Sequence, residues 1–145
     1  MGKLSKPSPK RVQYAALPYR LSGRSREVML VTSRETRRWI IPKGWPQKGK
    51  RPHDSAAREA YEEAGIVGAV ARRPVGSFAY EKRFKNGRVV VCEVYVFPLH
   101  VRRQNKKWSE RRQREVKWVS ASQAANKIKE PMLSAIIRRL ARKYD

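Results

Sequence analysis

The chain has 145 residues, with 35 lysines and arginines against 12 aspartates and glutamates, a net charge of +23 and 40% hydrophobic residues. This length suits one domain with its own core, and the apolar content excludes a collagen-like or wholly disordered chain. The single cysteine, Cys92, excludes a disulfide framework and a cysteine-based zinc site, and no apolar run approaches the roughly 20 residues of a membrane span. We therefore expect a soluble, cytoplasmic protein that does not contact a membrane.

The amino-terminal region is predicted to be a basic arm followed by two strands. Residues 1–10 hold lysine, serine and proline, and they lack the hydrophobic segment of a signal peptide, so we expect a flexible arm. Residues 11–145 are expected to form a single domain. Within it, residues 14–19 and 27–32 are rich in strand-forming side chains and are separated by a turn-rich segment.

A helix is predicted after a loop rich in glycine, proline and lysine. The loop, residues 43–52, follows a short apolar run that ends in a proline. Residues 54–64 then consist mostly of alanine, glutamate and arginine, and Gly65 follows them. We expect a helix with Asp54 or Ser55 as its N-cap and Gly65 as its C-cap.

The second half of the chain is predicted to contain three further strands and a helical end. Asn86-Gly87 marks a hairpin turn between the first two of these strands. Ser120 and Gln123 form a capping-box pair before the helical region, which Pro131 interrupts. The strands are expected at residues 75–80, 89–98 and 116–119, with a basic loop at 104–114. The order β-β-α-β-β-β-α favours an α+β or α/β/α sandwich architecture.

Acidic residues are concentrated in the predicted helix. Four of the twelve acids lie between positions 54 and 63, whereas residues 1–53 hold only two. Glu59, Glu62 and Glu63 are spaced i, i+3 and i+4, so their carboxylates project from one helix face. Such a cluster can be a solvated acidic face, but the loop before it brings cationic side chains beside it. Hard divalent cations bridge carboxylates to substrate phosphates, so the pattern favours a metal site that assists phosphoanhydride cleavage.

The helix and the loop before it resemble a known family motif. Gly44, followed by REAYEEAGI at residues 58–66, is similar to the Nudix box, G-x5-E-x7-R-E-U-x-E-E-x-G-U with U apolar. The first glutamate of that box is replaced here by Lys50. The resemblance implies a Nudix fold, which is an α/β/α sandwich with a mixed β-sheet. Residues 33–39, 75–83 and 108–118 further resemble the diphosphoinositol polyphosphate phosphohydrolase branch of the family.

The resemblance also implies roles for the site residues. Glu59 and Glu63, with the carbonyl of Gly44, would hold Mg²⁺ or alternatively Mn²⁺. The implied catalytic residues are Glu62, the general base that activates water, and Arg58, which we expect to act structurally by pairing with Glu62. Glu115 is an alternative base, although its position also suits a charge at a strand edge. The residues implied to bind substrate phosphates are Ser33, Arg34, Lys43, Lys50, Arg83 and Arg114.

These features lead to one preferred function and two alternatives. The preferred function is a Nudix hydrolase that cleaves a phosphoanhydride bond in a diphosphoinositol polyphosphate or a dinucleoside polyphosphate. The first alternative is a polyanion- or RNA-binding module in which Lys50 accompanies weak or lost catalysis, and the second is an RNA-end pyrophosphohydrolase. The net charge of +23 fits a polyanionic partner in each case, with a small polyphosphorylated substrate favoured over nucleic acid. The chain is expected to act as a monomer or a homodimer.

Overall fold

Strands and helices alternate through residues 11–142, the part of the chain that this computed structural model describes. The predicted arm, residues 1–10, lies outside the described residues, so the division at residue 10 stays a prediction. The strands of the described part are β1 Arg11–Ser22, β2 Ser25–Thr32, β3 Trp39–Ile40, β4 Lys43–Gly44, β5 Ile66–Val70, β6 Gly76–Arg83, β7 Val89–Gln104 and β8 Val116–Ser120. The helices are α1 Pro52–Ala64, α2 Ala121–Lys127 and α3 Pro131–Arg142.

The sheet is mixed, as the resemblance implies. Its central path runs β3-β2-β1-β7-β5, while β4 pairs with β1, β6 with β7 and β8 with β2. The long strands β1 and β7 are parallel, from the pair Arg11 and Cys92 to the pair Tyr19 and His100, and the other pairings are antiparallel. Parallel pairing requires a long crossover between the two strands, and the connection from β1 to β7 includes helix α1.

Helices cover both faces of this sheet. Successive strand residues point to opposite faces, so Ala15 and Leu17 of β1 pack in one core, whereas Ala16 packs in the other. The first core contains the apolar sides of α2 and α3, and the second contains the alanines of α1. The α+β fold and the α/β/α layering expected from the sequence are therefore confirmed. No helix among the described residues has the length and apolar content needed to cross a bilayer.

Helix α1 begins earlier than predicted. Its N-cap is Arg51, which makes no side-chain capping bond, and Pro52 occupies the first turn, so the expectation of Asp54 or Ser55 as N-cap is wrong. Proline suits this position because its fixed φ matches the helix and its missing N–H would have no partner there. Ser55 is instead buried inside the helix, where its Oγ accepts a hydrogen bond from Gln47 N at 3.2 Å. This bond ties the preceding loop to α1.

Other boundaries follow tertiary pairing that no local pattern shows. Strand β5 was not predicted, because Gly68 interrupts its apolar pattern, yet it pairs with the end of β7. The same pairing carries β7 through Pro98 to Gln104, six residues beyond the predicted end. The Ser120 cap is confirmed, since its Oγ accepts a bond from Gln123 N at 3.2 Å.

Candidate active site

Strand β4 and helix α1 approach closely at Gly44, where the absence of a side chain leaves room for the carboxylate of Glu59. A Cβ atom at Gly44 would collide with the carboxylate of Glu59, which lies directly against the backbone of β4. The site therefore places a backbone segment and a carboxylate of α1 side by side. This is the arrangement in which a Gly44 carbonyl and Glu59 can serve one ligand together.

Glu63 is the most enclosed carboxylate of the three in α1. It is 3% exposed, and its Oε2 accepts a hydrogen bond from Lys43 N at 3.3 Å. On the other side, Arg114 Nη1 lies 3.6 Å from Glu63 Oε1. The carboxylate is thus held between β4 and the loop that precedes β8.

Burial disfavours the ionised forms of both Glu59 and Glu63. Desolvation raises the pKa of Glu63 to about 8, although the positive charge of Arg114 opposes the shift. Desolvation also raises the pKa of Glu59 to about 7, and the neighbouring carboxylates of Glu62 and Glu110 raise it further. A cation at this point would reverse the shifts, because it favours the ionised form of each acid.

The donor set fits a divalent cation. Glu59 Oε2 is buried and has no hydrogen-bond partner among the described residues, which leaves a carboxylate oxygen available as a ligand. In the described part of the chain no three acidic, imidazole or thiolate groups are clustered closely enough to form a complete metal cage. Mg²⁺ does not require one, since it keeps several waters and is usually held by one or two carboxylates plus substrate phosphates. Glu59, Glu63 and the Gly44 carbonyl match that pattern.

Glu62 lies on the more exposed side of the cluster and is held by Arg58. Arg58 Nε donates a hydrogen bond of 2.9 Å to Glu62 Oε1, so the i, i+4 pair expected from the sequence is formed. About a third of the Glu62 side chain is exposed. Glu62 can therefore meet water while its carboxylate is oriented by the guanidinium.

A fourth carboxylate, Glu110, joins this cluster although the sequence analysis did not select it. Its backbone N donates to the carbonyl of Glu62 at 3.0 Å, and its side chain raises the pKa of both Glu59 and Glu63. The loop that carries Glu110 is fixed to the end of α1, where Asn105 N donates to the carbonyl of Gly65 at 2.8 Å. The available sequence signal was an acid four residues before Arg114 in an otherwise basic loop.

Gly65 shapes this junction in two ways. Its φ of 68° is the left-handed conformation expected of a helix C-cap, which confirms that prediction. A Cβ atom there would also overlap the ring of Trp108 from the loop. Glycine at this position therefore both ends α1 and lets the loop that carries Glu110 pack against it.

Glu115, the alternative base, does not reach the cluster. Its side chain is 67% exposed and its Oε2 lies 4.0 Å from Arg37. Its carbonyl accepts a hydrogen bond from Thr32 N at 3.0 Å, and its N donates to Thr32 Oγ1 at 3.0 Å. The geometry favours the strand-edge interpretation of Glu115.

A basic cavity of about 260 Å³ lies beside the carboxylates, and we call it the phosphate cavity. Its lining includes five of the six residues expected to bind phosphates: Ser33, Arg34, Lys43, Arg83 and Arg114. The other charged residues of the lining are Arg38 and Lys82 and the acids Glu35, Glu81 and Glu130, so cations outnumber acids. Chain segments far apart in sequence thus converge on one cavity.

Lys50, the sixth expected phosphate ligand, lies elsewhere. It follows Gly49 in an exposed turn and borders a separate cavity on the outer side of α1, together with Arg58 and Tyr61. The turn directs it there because Lys50 N bonds to the carbonyl of Gln47 at 3.0 Å, just before the helix begins. Lys50 therefore does not line the phosphate cavity, and its part in substrate binding stays a prediction.

Arg114 differs from the other cavity cations because the protein already occupies its donors. Its side chain is 10% exposed, and its Nη1 donates to the carbonyl of Thr32 at 3.0 Å while its Nε donates to Glu110 at 2.9 Å. Arg34 is more exposed, at 58%, and donates to Gln113 Oε1 at 3.0 Å. Arg34 also lies 4.0 Å from Glu110 Oε1, a longer and more exposed contact than those of Arg114, so it can turn to a phosphate more easily.

Lys43 and Lys82 complete the wall of the phosphate cavity. Desolvation lowers the pKa of Lys43 to about 8, and its ammonium lies 4.5 Å from the centre of the Tyr80 ring. Lys82, which the sequence analysis did not select, is two residues beyond Tyr80 in β6 and therefore shares its sheet face. Strand alternation was the signal that could have identified it.

A mixed sheet between helices, with a glutamate-bearing helix beside a basic cavity, defines the class of domain to which this chain belongs. The family model described as NUDIX domain matches residues 10–141. The chain therefore belongs to the Nudix family, as its sequence predicts.

Curated relatives agree with this assignment. Nudix hydrolase 12, mitochondrial, of Arabidopsis thaliana is 33% identical over 103 residues, which cover 68% of this chain and 50% of that protein. Diphosphoinositol polyphosphate phosphohydrolase 3-alpha of Mus musculus is 37% identical over 90 residues, covering 61% of this chain and 51% of that protein. The chain spans about half the length of these relatives.

Solved structures show the same fold at low sequence identity. The C. elegans Ap4A hydrolase aligns with a TM-score of 0.62 at 17% identity, covering 90% of this chain and 96% of that one. The E. coli dihydroneopterin triphosphate pyrophosphohydrolase aligns with a TM-score of 0.70 at 19% identity, covering 92% and 97%. At this identity the likeness establishes the architecture.

Proposed function

We propose that this chain is a metal-dependent hydrolase that cleaves a phosphoanhydride bond in a polyphosphorylated substrate. The observation that carries the proposal is the buried Glu63 and the half-buried Glu59, one of whose oxygens is buried without a partner among the described residues, beside a cavity in which cations outnumber acids. Buried acids favour a bound cation, and the excess of cations over acids in the cavity favours a bound anion. A divalent cation with a polyphosphate satisfies both.

Glu59, Glu63 and the Gly44 carbonyl would hold the cation. When bound, Mg²⁺ or Mn²⁺ neutralises phosphate oxygens and lowers the pKa of a water molecule. The protein's contribution is to keep two carboxylates at a fixed point: Glu63 by its bond to Lys43 N, and Glu59 by its contact with the backbone of β4.

Glu62 would act as the general base. The Arg58 guanidinium orients its carboxylate, and its partial exposure gives water access to it. Glu110 is the second candidate, since its backbone is bonded to Glu62 and its carboxylate lies near the same cluster. Either carboxylate can take the proton of the water that attacks phosphorus.

The phosphates that do not react would bind in the phosphate cavity. Arg34 and Arg83 are exposed at its edge and offer guanidinium forks suited to phosphate oxygens. Lys43 lies deeper, between this cavity and Glu63, where a phosphate would favour its charged form. Diphosphoinositol polyphosphates and dinucleoside polyphosphates carry enough phosphates to use all of these groups.

The relatives support the same range of substrates. One is named a diphosphoinositol polyphosphate phosphohydrolase, and a structural neighbour is named an Ap4A hydrolase. The competing proposal, a binding module with weak or lost catalysis, rests on Lys50. Because Lys50 lies outside the phosphate cavity, its presence removes no carboxylate from the α1 cluster, and the enzyme is favoured.

A phosphate-release screen tests the proposal. The full chain is incubated with Mg²⁺ or Mn²⁺ and with diphosphoinositol, dinucleoside polyphosphate, nucleoside triphosphate and 5′-triphosphorylated RNA substrates. We expect metal-dependent release that is abolished by Glu59→Gln and unaffected by Glu27→Gln, a matched change at the far end of β2. No release from any substrate with either metal would contradict the enzyme and leave the binding module.

A further inference from the structure

Two exposed aromatic rings lie beside the phosphate cavity and belong to separate parts of the chain. Trp45 immediately follows β4 and is 39% exposed, and Phe84 follows β6 and is 38% exposed. Isolated exposed aromatics are ordinary on protein surfaces. These two, however, line one cavity of about 360 Å³, within the range of roughly 300–1,000 Å³ typical of small-molecule sites.

Cations surround the two rings. The ammonium of Lys82 lies 6.0 Å from the centre of the Trp45 ring and 5.8 Å from that of Phe84. Arg11 and Arg88 line the same cavity, and Arg11 comes from β1 rather than from the hairpin. Flat apolar rings beside positive charges match a ligand with a flat π-surface and a phosphate.

Lys82 also connects this cavity to the phosphate cavity. It lines the phosphate cavity, while its ammonium contacts the rings that line the second one. Trp45 is likewise adjacent in sequence to Gly44, whose carbonyl belongs to the candidate metal site. One ligand can therefore place phosphates near Glu63 and a ring system near Trp45.

We propose that the cavity between Trp45 and Phe84 is a nucleobase-binding subsite, so that the substrate carries a nucleoside. Stacking on aromatic side chains suits every base, because each base has a π-face, and a neighbouring cation adds to the attraction. An inositol ring has no π-face and gains nothing from this subsite. The subsite therefore selects nucleotide polyphosphates, free or at the 5′ end of single-stranded RNA, over diphosphoinositol compounds. This inference rests on the proposed function, under which the phosphates of the substrate bind in the phosphate cavity.

Paired ligands test the subsite by binding, without relying on turnover. Isothermal titration of the full chain, with no divalent cation added, compares adenosine 5′-tetraphosphate with inorganic tetraphosphate. We expect roughly 10-fold tighter binding of the adenosine compound, the scale of stacking one base. Trp45→Leu and Phe84→Leu should each remove most of that preference while leaving the Kd of inorganic tetraphosphate unchanged. Equal affinities in the wild-type protein, or a preference that survives both substitutions, would overturn the subsite.

Tyr61→Leu is the matched control. Tyr61 is also an aromatic ring, 39% exposed, with the Arg58 guanidinium 5.2 Å from its centre, but it lies on the outer side of α1. This variant should keep the full preference for the base. Thermal unfolding verifies that each variant is folded, and because Trp45 and Phe84 lie on separate segments, either variant alone is sufficient for the test.

A third ligand distinguishes the two sources of a nucleobase. A 5′-triphosphorylated RNA heptamer that loses affinity in the Trp45 and Phe84 variants identifies an RNA end as a ligand. If only adenosine tetraphosphate depends on the two rings, the subsite serves free nucleotides. A base preference without phosphate release would sustain the subsite and contradict the hydrolase. Phosphate release without a base preference would support the hydrolase and contradict the subsite.

Discussion

Replacing Glu63 by glutamine separates the charge of the candidate metal site from its shape. Glutamine has the size of glutamate and keeps an oxygen that can accept the bond from Lys43 N, so the junction between β4 and α1 should persist. The variant removes one negative charge from a side chain that is 3% exposed and close to Glu59. The change therefore tests whether that buried charge serves a cation.

The structure sets the size of two expected effects. Turnover should fall by roughly 100-fold or more, the loss typical of removing one key electrostatic group from an active site. The free energy of unfolding, by contrast, should increase in the metal-free variant. Burial raises the pKa of Glu63 from 4.5 to about 8, and each pKa unit corresponds to about 1.36 kcal/mol. Near pH 7.5 this carboxyl is ionised in the unfolded chain but largely protonated in the folded, metal-free protein, and the difference costs on the order of a few kcal/mol of stability. The glutamine variant avoids this cost, less what it loses by weakening the contact with Arg114.

Phosphate release and thermal unfolding measure these effects on the same preparations. Without metal, the Glu63→Gln protein should unfold at a temperature no lower than the wild type at pH 7.5. Mg²⁺ should raise the Tm of the wild type but not that of the variant. The matched control, Glu27→Gln, changes a carboxylate paired with Arg20 far from the site and should retain the Mg²⁺ response. Near-wild-type turnover by Glu63→Gln, or an undiminished Mg²⁺-induced rise in its Tm, would refute Glu63 as a metal ligand.

Four further predictions concern the carboxylates and their surroundings. In metal-free protein the pKa values of Glu59 and Glu63 are raised to about 7 and about 8, so their contribution to stability is complete below pH 4.5 and is lost as the pH rises through these values. The Tm should therefore decrease from pH 5 to 7.5, and Mg²⁺ should restore the Tm at pH 7.5 and do little at pH 5. A Tm that does not change with pH would contradict the shifts. Lys50→Glu should leave KM for polyphosphates unchanged and stabilise the start of α1 by about 0.3–1 kcal/mol, measured as a higher Tm, because a negative charge favours a helix N-terminus; a raised KM would return Lys50 to the substrate site. Arg34→Ala should raise KM about 10-fold or more, and more for substrates with more phosphates, as expected for a charge-assisted contact worth about 1.5–3 kcal/mol. Arg114→Lys should instead lower kcat and Tm, because lysine cannot reproduce the guanidinium fork, and an effect confined to KM would assign Arg114 to substrate binding.

The sequence predicted the family and the helix that carries the three glutamates because both depend on short-range spacing. The i, i+3 and i+4 positions of Glu59, Glu62 and Glu63 determine one helix face wherever that helix lies in the fold. The match at Gly44 is also local, since it reflects one backbone segment approaching the carboxylate of Glu59. Such local matches do not depend on how the strands of the sheet are arranged.

Features that depend on contacts between distant segments could not be predicted in the same way. Strand β5 exists because its backbone pairs with the end of β7, and Gly68 conceals it from a pattern of apolar residues. Glu110 reaches the carboxylate cluster because Trp108 packs on Gly65 and two backbone bonds fasten its loop to α1. In sequence, Glu110 is one acid in a basic segment.

Arg114 lines the phosphate cavity, but its contacts are with the protein itself. The resemblance places it at the substrate site, and it does line the phosphate cavity, but its donors bind Thr32, Glu63 and Glu110. These three partners belong to β2, α1 and the loop before β8, so one guanidinium fixes the relative positions of three elements around the carboxylates. A substrate phosphate would have to displace at least one of these contacts to gain Arg114. The exposed Arg34 donates only to the neutral Gln113 and has a longer ion pair with Glu110 at 4.0 Å, so the phosphate-count dependence of binding should come mainly from the edge of the cavity.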